Sequence, residues 1–446
     1  MKFLLSNNFI LRKKTDGRNV MYDKSHSISY YITDKLFTFL YFFKENSVDL
    51  DSILSFFEKN KITIDDIQAF LSRPDMKNLL IASHQTTDTN ISKAYNIYHN
   101  PYKASEFTEY TPERIDFLIT KKCNLKCKHC FELSSPQEKT RMFNMETLRR
   151  VFQQMDNLNV KTLKITGGEP FVHSQFQDIL EEVSKSRFET IILTNGLLIK
   201  EDTMKLIKSS NIKLGISLDG ITSNTHDYLR GKGAFDVLYK KLKRLGEFGI
   251  DLTLTFTANK YNEHELEQLV STAFSEIGVR CVFVNRLRPI GRAINSDDLF
   301  IPNDEYQLLQ KRIDELVIKY GKDKIVLSDD SLPMAKSNNE QLTENTPLVC
   351  AAGNSVLCID DVFDVYPCIY GQGKKDYVIG NLAEETLLNI WQSEKLRPYR
   401  GGTTLTQIKD CKLCHKREQC GIKNCRLKPV YNGLGFYEHV PYCCES

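Results

Sequence analysis

The chain has 446 residues, of which 41% are hydrophobic and 26% are charged, and its net charge is only +3. This length is too great for one ordinary hydrophobic core, so we expect two or three domains, and the balanced charge gives no reason to expect nucleic acid or a membrane as a partner. No apolar run approaches the length of a transmembrane helix, and no cleavage site follows the basic start of the chain, so we expect a cytoplasmic protein.

Residues 1–85 are predicted to form a small α+β module. Alternating apolar and polar residues predict three short strands, at residues 9–13, 20–23 and 27–31. Asp34 and Asp49 each precede a segment with an apolar stripe, which predicts two helices capped by these aspartates, and a third helix is expected at 64–71. Three strands followed by three helices indicate a winged-helix-like module, and the polar segment 86–112 that follows is typical of a linker.

Residues 113–325 alternate between strand-like and helix-like segments. The predicted strands are 115–120, 162–166, 190–194, 213–218, 252–257 and 281–287. The predicted helices between them are 145–157, 175–186, 202–209, 234–248 and 263–277. Six such units predict an α/β fold in which a parallel sheet curves into a partial (β/α)6 barrel with its helices outside. Ligands of such folds bind in the loops at the carboxyl ends of the strands.

The 13 cysteines of the chain are unevenly distributed. None precedes Cys123, three lie within eight residues, Cys281 stands alone in a predicted strand, and nine lie between Cys350 and the end. Disulfides rarely persist in the cytoplasm, so clustered thiols predict metal binding or catalysis, whereas Cys281 is expected to be a buried apolar residue. Residues 345–446 are also poor in apolar periodic segments, and metal clusters would stabilise such a region.

Cys123, Cys127 and Cys130 follow the first predicted strand of the barrel, separated by three and then two residues. Three thiolates leave one iron of a four-iron cluster without a protein ligand, and that iron can bind the amine and carboxylate of a substrate. A zinc site that uses the adjacent His129 is an alternative, since zinc normally takes a fourth Cys or His. An accidental trio of thiols is another.

The CxxxCxxC motif, the aromatic residue directly after it and the stretch ITGGEPF at 165–171 resemble the radical S-adenosylmethionine (SAM) superfamily. The resemblance implies a radical SAM barrel whose three cysteines bind a SAM-cleaving [4Fe–4S] cluster and act in catalysis. By position in the motifs, the cofactor-binding residues would be Phe131, Gly167, Gly168, Glu169, Pro170, Asn195, Ser217, Asp219 and Arg230. The Gly-Gly-Glu stretch would bind the amino group of SAM, Ser217 and Asp219 would contact its ribose, and Arg230 would bind its carboxylate. RPIGRA at 288–293 would contact adenine.

The C-terminal cysteines and the stretch GNLAEETLLNIW at 380–391 resemble the SPASM extension of peptide-modifying radical SAM enzymes. The resemblance implies two auxiliary [4Fe–4S] clusters. The first would be held by Cys350, Cys368 and Cys425, with Cys358 as fourth ligand, and the second by Cys411, Cys414, Cys420 and either Cys443 or Cys444. Four residues separate Cys420 from Cys425 where three are usual, and Phe363 occupies a position that is commonly Gly, so it stays open whether the first cluster has an iron free for substrate. A zinc ribbon is the alternative for this region.

The N-terminal pattern is similar to the leader-recognition modules of enzymes that mature ribosomally made peptides, which bind a leader as an added strand. A structural cap on the barrel is the alternative. Together the three segments resemble the sactipeptide maturases, which implies a precursor peptide and an electron donor such as flavodoxin or ferredoxin as partners. The expected reaction is a thioether crosslink from cysteine sulfur to carbon through a 5′-deoxyadenosyl radical. C–C crosslinking, epimerisation and other radical modifications are alternatives within this class, and a zinc-stabilised peptide-binding scaffold is the alternative outside it.

Overall fold

The computed structural model describes ten segments of the chain. They are residues 2–5, 9–13, 18–24, 28–45, 50–63, 80–83, 111–210, 212–328, 347–409 and 425–438. The predicted helix at 64–71 and most of the predicted linker lie outside the described residues, as do five predicted cluster ligands, Cys411, Cys414, Cys420, Cys443 and Cys444. Among the helices that the structure describes, none is long and apolar enough to cross a membrane.

The N-terminal module contains two small antiparallel sheets. The three-stranded sheet has the order β2 (Phe9–Lys13), β3 (Asn19–Asp23) and β4 (Ile28–Ile32), which confirms the three predicted strands. A two-stranded sheet pairs β1 (Lys2–Leu5) with β5 (Leu80–Ser83). The sequence analysis did not predict this second sheet, because its strands are short and lie far apart along the chain.

Helices α1 (Asp34–Glu45) and α2 (Leu50–Asn60) pack on the three-stranded sheet and share one apolar core with it. The Thr33 hydroxyl accepts a hydrogen bond from the Leu36 amide over 3.2 Å, so Thr33 caps α1. The expectation that Asp34 is the cap was wrong by one residue, since Asp34 is the first residue of the helix. Its charge still stabilises the first turn, where the helix dipole is positive.

A parallel sheet forms the centre of the protein. Its strands are β6 (Arg114–Leu118), β7 (Thr162–Thr166), β8 (Glu189–Thr194), β9 (Lys213–Ser217), β10 (Leu252–Ala258), β11 (Cys281–Arg286) and β12 (Ile325–Ser328). Each strand pairs in parallel with the next one along the chain. The six predicted strands are confirmed, and β12 is a seventh that the sequence analysis did not predict.

Helices connect these strands and cover the sheet. They are α3 (Met145–Asn157), α4 (Phe176–Ser184), α5 (Glu201–Ser209), α6 (Ser223–Arg230), α7 (Ala234–Glu247), α8 (Leu266–Thr272) and α9 (Asn303–Tyr320). In α3, the Asn144 side chain accepts hydrogen bonds from the amides of Glu146 and Thr147 and so caps the helix. The side chains of α3 that are buried follow helical spacing: Leu148, Val151, Phe152 and Met155.

The C-terminal region extends the same sheet. Strand β14 (Val356–Ile359) pairs in parallel with β6, and β15 (Asp364–Tyr366) and β16 (Gly380–Asn381) follow in antiparallel order, which gives ten strands in all. The other elements of this region are β13 (Pro347–Val349), β17 (Arg400–Thr404), α10 (Leu387–Trp391) and α11 (Leu427–Tyr431). The cysteine-rich region is therefore joined to the barrel at β6, the strand that leads into the first cysteine loop.

The N-terminal module docks against the barrel where the parallel strands begin. The buried Arg12 guanidinium donates hydrogen bonds to the carbonyls of Thr111, Pro112 and Asn159. The Tyr22 hydroxyl donates to Glu189, the first residue of β8, and Lys213, the first residue of β9, donates to the same carboxylate. Lys24 belongs to the same hydrogen-bond network, because its carbonyl accepts a hydrogen bond from Lys213 over 3.1 Å. The module thus lies at the amino ends of the strands and leaves the loops at their carboxyl ends accessible.

Candidate cluster and cofactor site

The loop that follows β6 carries the first three cysteines. The Cys123 amide donates to the Ser135 carbonyl over 3.1 Å, which closes the loop on itself. The Leu125 amide points at the Cys123 sulfur over 3.4 Å, and the Cys130 amide donates to the Cys127 carbonyl over 3.3 Å. As predicted, the loop lies at the carboxyl end of the first barrel strand.

The three thiols are close enough to affect one another electrostatically. Burial raises the pKa of Cys123 to about 12, with smaller contributions from Glu169, Cys127 and Cys130, and burial also raises the pKa of Cys127. Thiolates at these positions therefore need a bound cation. In the part of the chain that the structure describes, no three His, Cys, Asp or Glu side chains are placed to hold a single metal ion. Three neighbouring thiols fit the donor set of a four-iron cluster that has one iron without a protein ligand.

The Gly-Gly-Glu stretch after β7 lies directly against this cysteine loop. The Gly168 amide donates to the Thr120 carbonyl over 2.7 Å, and the Glu169 amide donates to the Lys122 carbonyl over 2.9 Å. A Cβ atom at Gly168 would overlap the Lys122 carbonyl oxygen, and one at Gly167, whose φ is +136°, would overlap the Thr120 carbonyl oxygen. Both positions require glycine, because the backbones of the two loops touch there.

Glu169 is fully buried between neighbouring strands. One carboxylate oxygen accepts from the Thr194 hydroxyl (2.7 Å) and the Phe171 amide (3.2 Å), and the other accepts from the Asn195 amide (2.8 Å). Burial raises the pKa of Glu169 to about 7, although these hydrogen bonds and the Arg230 charge act against burial. The second oxygen keeps a free lone pair, so Glu169 can still accept a hydrogen bond from an ammonium group.

The remaining predicted cofactor residues on the first strands also lie at this edge of the sheet. The Asn195 side-chain amide donates to Asn124 over 2.8 Å and lies 3.9 Å from the Cys123 sulfur. Pro170 is buried and begins a short 3-10 helix that Glu169 caps. Ser217 is the last residue of β9, directly before the loop that contains Asp219.

Asp219 and Arg230, predicted to contact the ribose and the carboxylate of SAM, form an ion pair with each other. The Arg230 Nε lies 2.6 Å from one Asp219 oxygen, and the His129 Nε2 lies 3.1 Å from the same oxygen. The other Asp219 oxygen accepts from the Thr257 amide over 2.9 Å. Burial acts to raise the pKa of Asp219, but the Arg230 charge and His129 outweigh it and hold that pKa well below its usual range. An Arg230 NH group also lies 3.9 Å from the Cys127 sulfur.

Sequence reasoning missed two contacts of the cysteine loop. His129, the fourth ligand in the zinc alternative, directs Nε2 at Asp219. Arg292 in the RPIGRA segment donates from its amide to the Cys130 carbonyl (2.9 Å) and from its guanidinium to the carbonyls of Cys127 and Ser134. The segment expected at adenine therefore supports the backbone of the cysteine loop. The repeated arginines of RLRPIGR were the only sequence signal for such a role.

A second group of thiols lies in the C-terminal region. Cys350, Cys368 and Cys425 are electrostatic neighbours, and burial raises the pKa of Cys350 to about 12 and that of Cys368 further. Cys358, on β14, is also fully buried, but its strongest electrostatic neighbours are Asp116 and Glu132, ahead of Cys368. Three of the four predicted ligands are thus mutual electrostatic neighbours, and Cys358 interacts electrostatically with one of them, Cys368.

Phe363 lies in the turn between β14 and β15, at the position that is commonly Gly. Its φ is +66°, the left-handed region that favours glycine. The Asp360 carboxylate stabilises this turn by accepting hydrogen bonds from the amides of Val362 and Asp364, both over 3.0 Å. The turn therefore keeps its backbone conformation although the chain departs from the usual residue.

Aromatic side chains connect the two cysteine groups. Phe131, directly after Cys130, stacks on Tyr431 with ring centroids 4.7 Å apart, and it meets Tyr370 edge-on at 5.4 Å. Tyr370 lies two residues after Cys368, and Tyr431 lies in α11, which follows Cys425. The two cysteine groups are therefore packed against each other through these rings.

The sequence profile of the radical SAM superfamily matches residues 117–273, and that of the SPASM iron–sulfur cluster-binding domain matches residues 350–420. Mycofactocin maturase MftC of Mycolicibacterium smegmatis is 28% identical over 331 residues, which are 74% of this chain and 81% of MftC. The antilisterial bacteriocin subtilosin biosynthesis protein AlbA of Bacillus subtilis is 29% identical over 63% of this chain and 60% of AlbA. The crystal structure of Streptococcus suis SuiB bound to precursor peptide SuiA has the same fold over the full length of both chains, with a TM-score of 0.75 at 19% identity.

Proposed function

This chain is a radical SAM enzyme with a SPASM domain, and we propose that it forms a thioether between a cysteine sulfur and a carbon atom of a ribosomally made precursor peptide. The observation that carries this proposal is the pairing of two cysteine groups. The trio at Cys123, Cys127 and Cys130 is packed through Phe131 and Tyr431 against the C-terminal trio. A crosslinking reaction that needs both a radical and an electron acceptor requires two such sites near each other.

In this proposal Cys123, Cys127 and Cys130 hold the cluster that binds SAM, and Glu169 accepts a hydrogen bond from the amino group of SAM. Bound together, the cluster and SAM supply a 5′-deoxyadenosyl radical that takes a hydrogen atom from an unactivated C–H bond. The chain's own residues position the cofactor and exclude water. The buried contacts of Glu169 with Thr194 and Asn195 keep its carboxylate in one orientation.

A thioether forms from one C–H and one S–H bond, so the peptide loses two hydrogen atoms. One leaves as a hydrogen atom to the radical, and the other leaves as a proton and an electron. Cys350, Cys368 and Cys425, with Cys358 beside them, would hold the auxiliary cluster that accepts this electron or binds the peptide thiolate. Cys411, Cys414, Cys420 and Cys443 or Cys444 would hold a second auxiliary cluster. An electron donor such as flavodoxin or ferredoxin would supply the electron that the cleavage of SAM consumes, and the electron released by the peptide would return to the auxiliary clusters.

Two relatives support a peptide substrate. AlbA is named for the biosynthesis of a bacteriocin, and SuiB was crystallised with a precursor peptide. In this chain, the N-terminal module would bind the leader at an edge of its three-stranded sheet, where β4 carries the exposed ring of Tyr31. The alternative role of this module as a structural cap predicts no affinity for the peptide.

The position of the module sets a minimum spacing in the substrate. The module docks at the amino ends of the barrel strands, whereas the cysteine loop lies at their carboxyl ends. The longest of these strands, β10, has seven residues. A peptide that binds at both ends must therefore pass roughly 23 Å, which takes at least about seven extended residues between the leader contact and the modified residue.

Anaerobic reconstitution tests the enzyme. The protein should bind iron and sulfide and release 5′-deoxyadenosine from SAM under a strong reductant, and the triple variant C123A/C127A/C130A should release none. Cys281→Ala is the matched control, because Cys281 is buried in β11 beside Thr253, remote from the cysteine loop in the fold. A colourless protein that contains only zinc would contradict the proposal and support the scaffold alternative.

Mass spectrometry of a precursor peptide incubated with the reconstituted enzyme tests the bond. A thioether removes two hydrogen atoms and leaves no thiol that iodoacetamide can alkylate. The same mass loss with a free thiol would indicate C–C crosslinking, and an unchanged mass with an inverted residue would indicate epimerisation. Either result would contradict thioether formation while the radical SAM chemistry stands.

A further inference from the structure

We infer that Asp219 is a positioning residue, which holds Arg230 against the Cys127 thiolate and so sets the charge around the SAM-binding cluster. The inference rests on the proposed ligation of that cluster by Cys123, Cys127 and Cys130. It assigns to Asp219 and Arg230 a role in the protein before SAM binds. This role differs from the contacts with ribose and carboxylate that the motifs implied.

The geometry leaves the Asp219 side chain committed to protein partners. One oxygen contacts Arg230 and His129, and the other accepts from the Thr257 amide. The backbone at Asp219 is fixed as well, because its carbonyl accepts from the Asn262 side chain over 3.1 Å. A carboxylate that is 0% exposed and held on both oxygens is suited to orient a neighbour, and a sugar hydroxyl would have to displace one of these partners.

Arg230, held by Asp219, points towards the cysteine loop. Its Nε edge is held by Asp219 at 2.6 Å, so the planar guanidinium directs its far nitrogens at the cysteine loop, with one 3.9 Å from the Cys127 sulfur and one 3.5 Å from His129 Nε2. The guanidinium side chain is only 10% exposed, so water screens its charge little. A cation next to a thiolate ligand stabilises the additional negative charge that a cluster gains on reduction.

The loop between the cysteines is clamped to the same elements. The Lys128 amide donates to the carbonyl of Leu229 over 2.8 Å, one residue before Arg230. His129, between Cys127 and Cys130, reaches Asp219 over 3.1 Å. The end of α6 and the loop after β9 therefore hold the loop at two consecutive residues, and Asp219 contacts both the loop and the arginine.

This arrangement predicts shifts of opposite sign in the reduction potential of the SAM-binding cluster. Arg230→Gln removes a positive charge near Cys127, so the cluster becomes harder to reduce and its potential falls. Asp219→Asn removes the compensating negative charge but keeps a side-chain oxygen that can accept the hydrogen bond from Arg230 Nε, so the guanidinium stays in place and the potential rises. In the double variant the two shifts should largely cancel. A residue that only supports the fold has no reason to produce opposite shifts.

The experiment is a redox titration of the reconstituted full-length protein without SAM, followed by electron paramagnetic resonance. The SAM-binding cluster is identified as the signal that changes when SAM is added. Arg244→Gln is the matched control, because Arg244 is an exposed arginine that is also paired with a carboxylate, Glu201, on the outer helices. The reduction potential of the SAM-binding cluster in this variant should equal that in the unaltered protein.

Each result has a defined meaning. Unchanged potentials, or shifts of the same sign in both variants, would overturn the inference. If Asp219 instead serves only to bind the ribose, Asp219→Asn should weaken SAM binding and leave the potential measured without SAM unchanged. If Arg230→Gln does not retain iron, Asp219→Asn must still raise the potential and Arg230→Lys, which keeps the charge, must leave it close to the original value. If the unaltered protein holds no cluster that responds to SAM, the proposed function itself fails.

Discussion

Tyr431 stacks on Phe131 with ring centroids 4.7 Å apart and a plane angle of 17°, and its hydroxyl donates a hydrogen bond to the Phe131 carbonyl. One residue belongs to the last described helix and the other follows Cys130, so 300 residues separate the two. This contact joins the C-terminal region to the first cysteine loop. Since β14 also pairs with β6 at the start of that loop, the loop is held from both sides.

The Tyr431 contact predicts graded effects on the stability of the cluster-free protein. Tyr431→Phe removes only the hydrogen bond and should lower the free energy of unfolding in urea by about 1 kcal/mol. Tyr431→Ala also removes the stacked ring and should cost about 3 kcal/mol. Tyr437→Phe is the control, because Tyr437 is 49% exposed in the same region, and it should change little. Equal losses for the phenylalanine and alanine variants would show that the ring contact contributes nothing.

The interface between the N-terminal module and the barrel depends on a buried ion pair. Lys213 and Glu189 are 3% and 5% exposed, and the Tyr22 hydroxyl contacts the same carboxylate. Lys213→Met removes the cation that is hydrogen-bonded to the buried Glu189 carboxylate and should lower the free energy of unfolding by about 3–5 kcal/mol. Lys243→Met, which breaks an exposed pair with Glu276, should change it by less than about 0.5 kcal/mol.

The double variant K213M/E189L separates the charge from the packing at this interface. It should regain most of the lost stability, because replacing both members of a buried pair by apolar residues is often neutral. If the double variant is as unstable as Lys213→Met, the loss comes from the shape of the interface, and the ion pair is not its cause.

Local patterns in the sequence predicted most of the barrel, because each strand and helix has its own period of apolar residues. The unit α9–β12 was missed although it has such a signal: Tyr306, Leu309, Ile313 and Leu316 are buried at helical spacing. The pairing of β14 with β6 has no local signal, since it joins segments some 240 residues apart. The boundary expected between the barrel and the cysteine-rich region is therefore crossed by one continuous sheet.

At the site, the sequence motifs identified which residues meet but not how they interact. The cysteine and Gly-Gly-Glu motifs predicted two loops at neighbouring strand ends, and their backbones touch there. Asp219 and Arg230 were each matched to a contact with SAM, and their ion pair was not predicted. That pair depends on how α6 packs beside β9, which spacing along the chain does not show.

Gly168 provides a test of the contact between these two loops. Gly168→Ala would place a methyl group on the Lys122 carbonyl oxygen, so the cysteine loop must shift. We expect a loss of about 1–3 kcal/mol in stability and at least a tenfold loss in the rate of 5′-deoxyadenosine release. Gly435→Ala is the matched control, because a Cβ there meets only the Glu438 side chain at an ordinary 3.5 Å. Normal SAM cleavage by Gly168→Ala would contradict the close approach of the loops.

Glu169 predicts a pH dependence in the cluster-free protein. Burial raises its pKa from 4.5 to about 7 in the folded chain, so between these values the folded state binds more protons than the unfolded state. The stabilising contribution is therefore complete below pH 4.5 and is lost as the pH rises through 7. The Cys123 thiol does not titrate in this range, since burial raises its pKa to about 12.

Urea unfolding at pH 5 and pH 7.5 measures this contribution. The free energy of unfolding of the unaltered protein should fall between these two pH values by about 2 kcal/mol more than that of Glu169→Gln, which cannot titrate but keeps the size of the side chain. Glu181→Gln, an exposed change on α4, is the control and should follow the unaltered protein. If Glu169→Gln shows the same fall as the unaltered protein, the Glu169 carboxyl is already ionised at pH 5, and its three hydrogen bonds outweigh its burial.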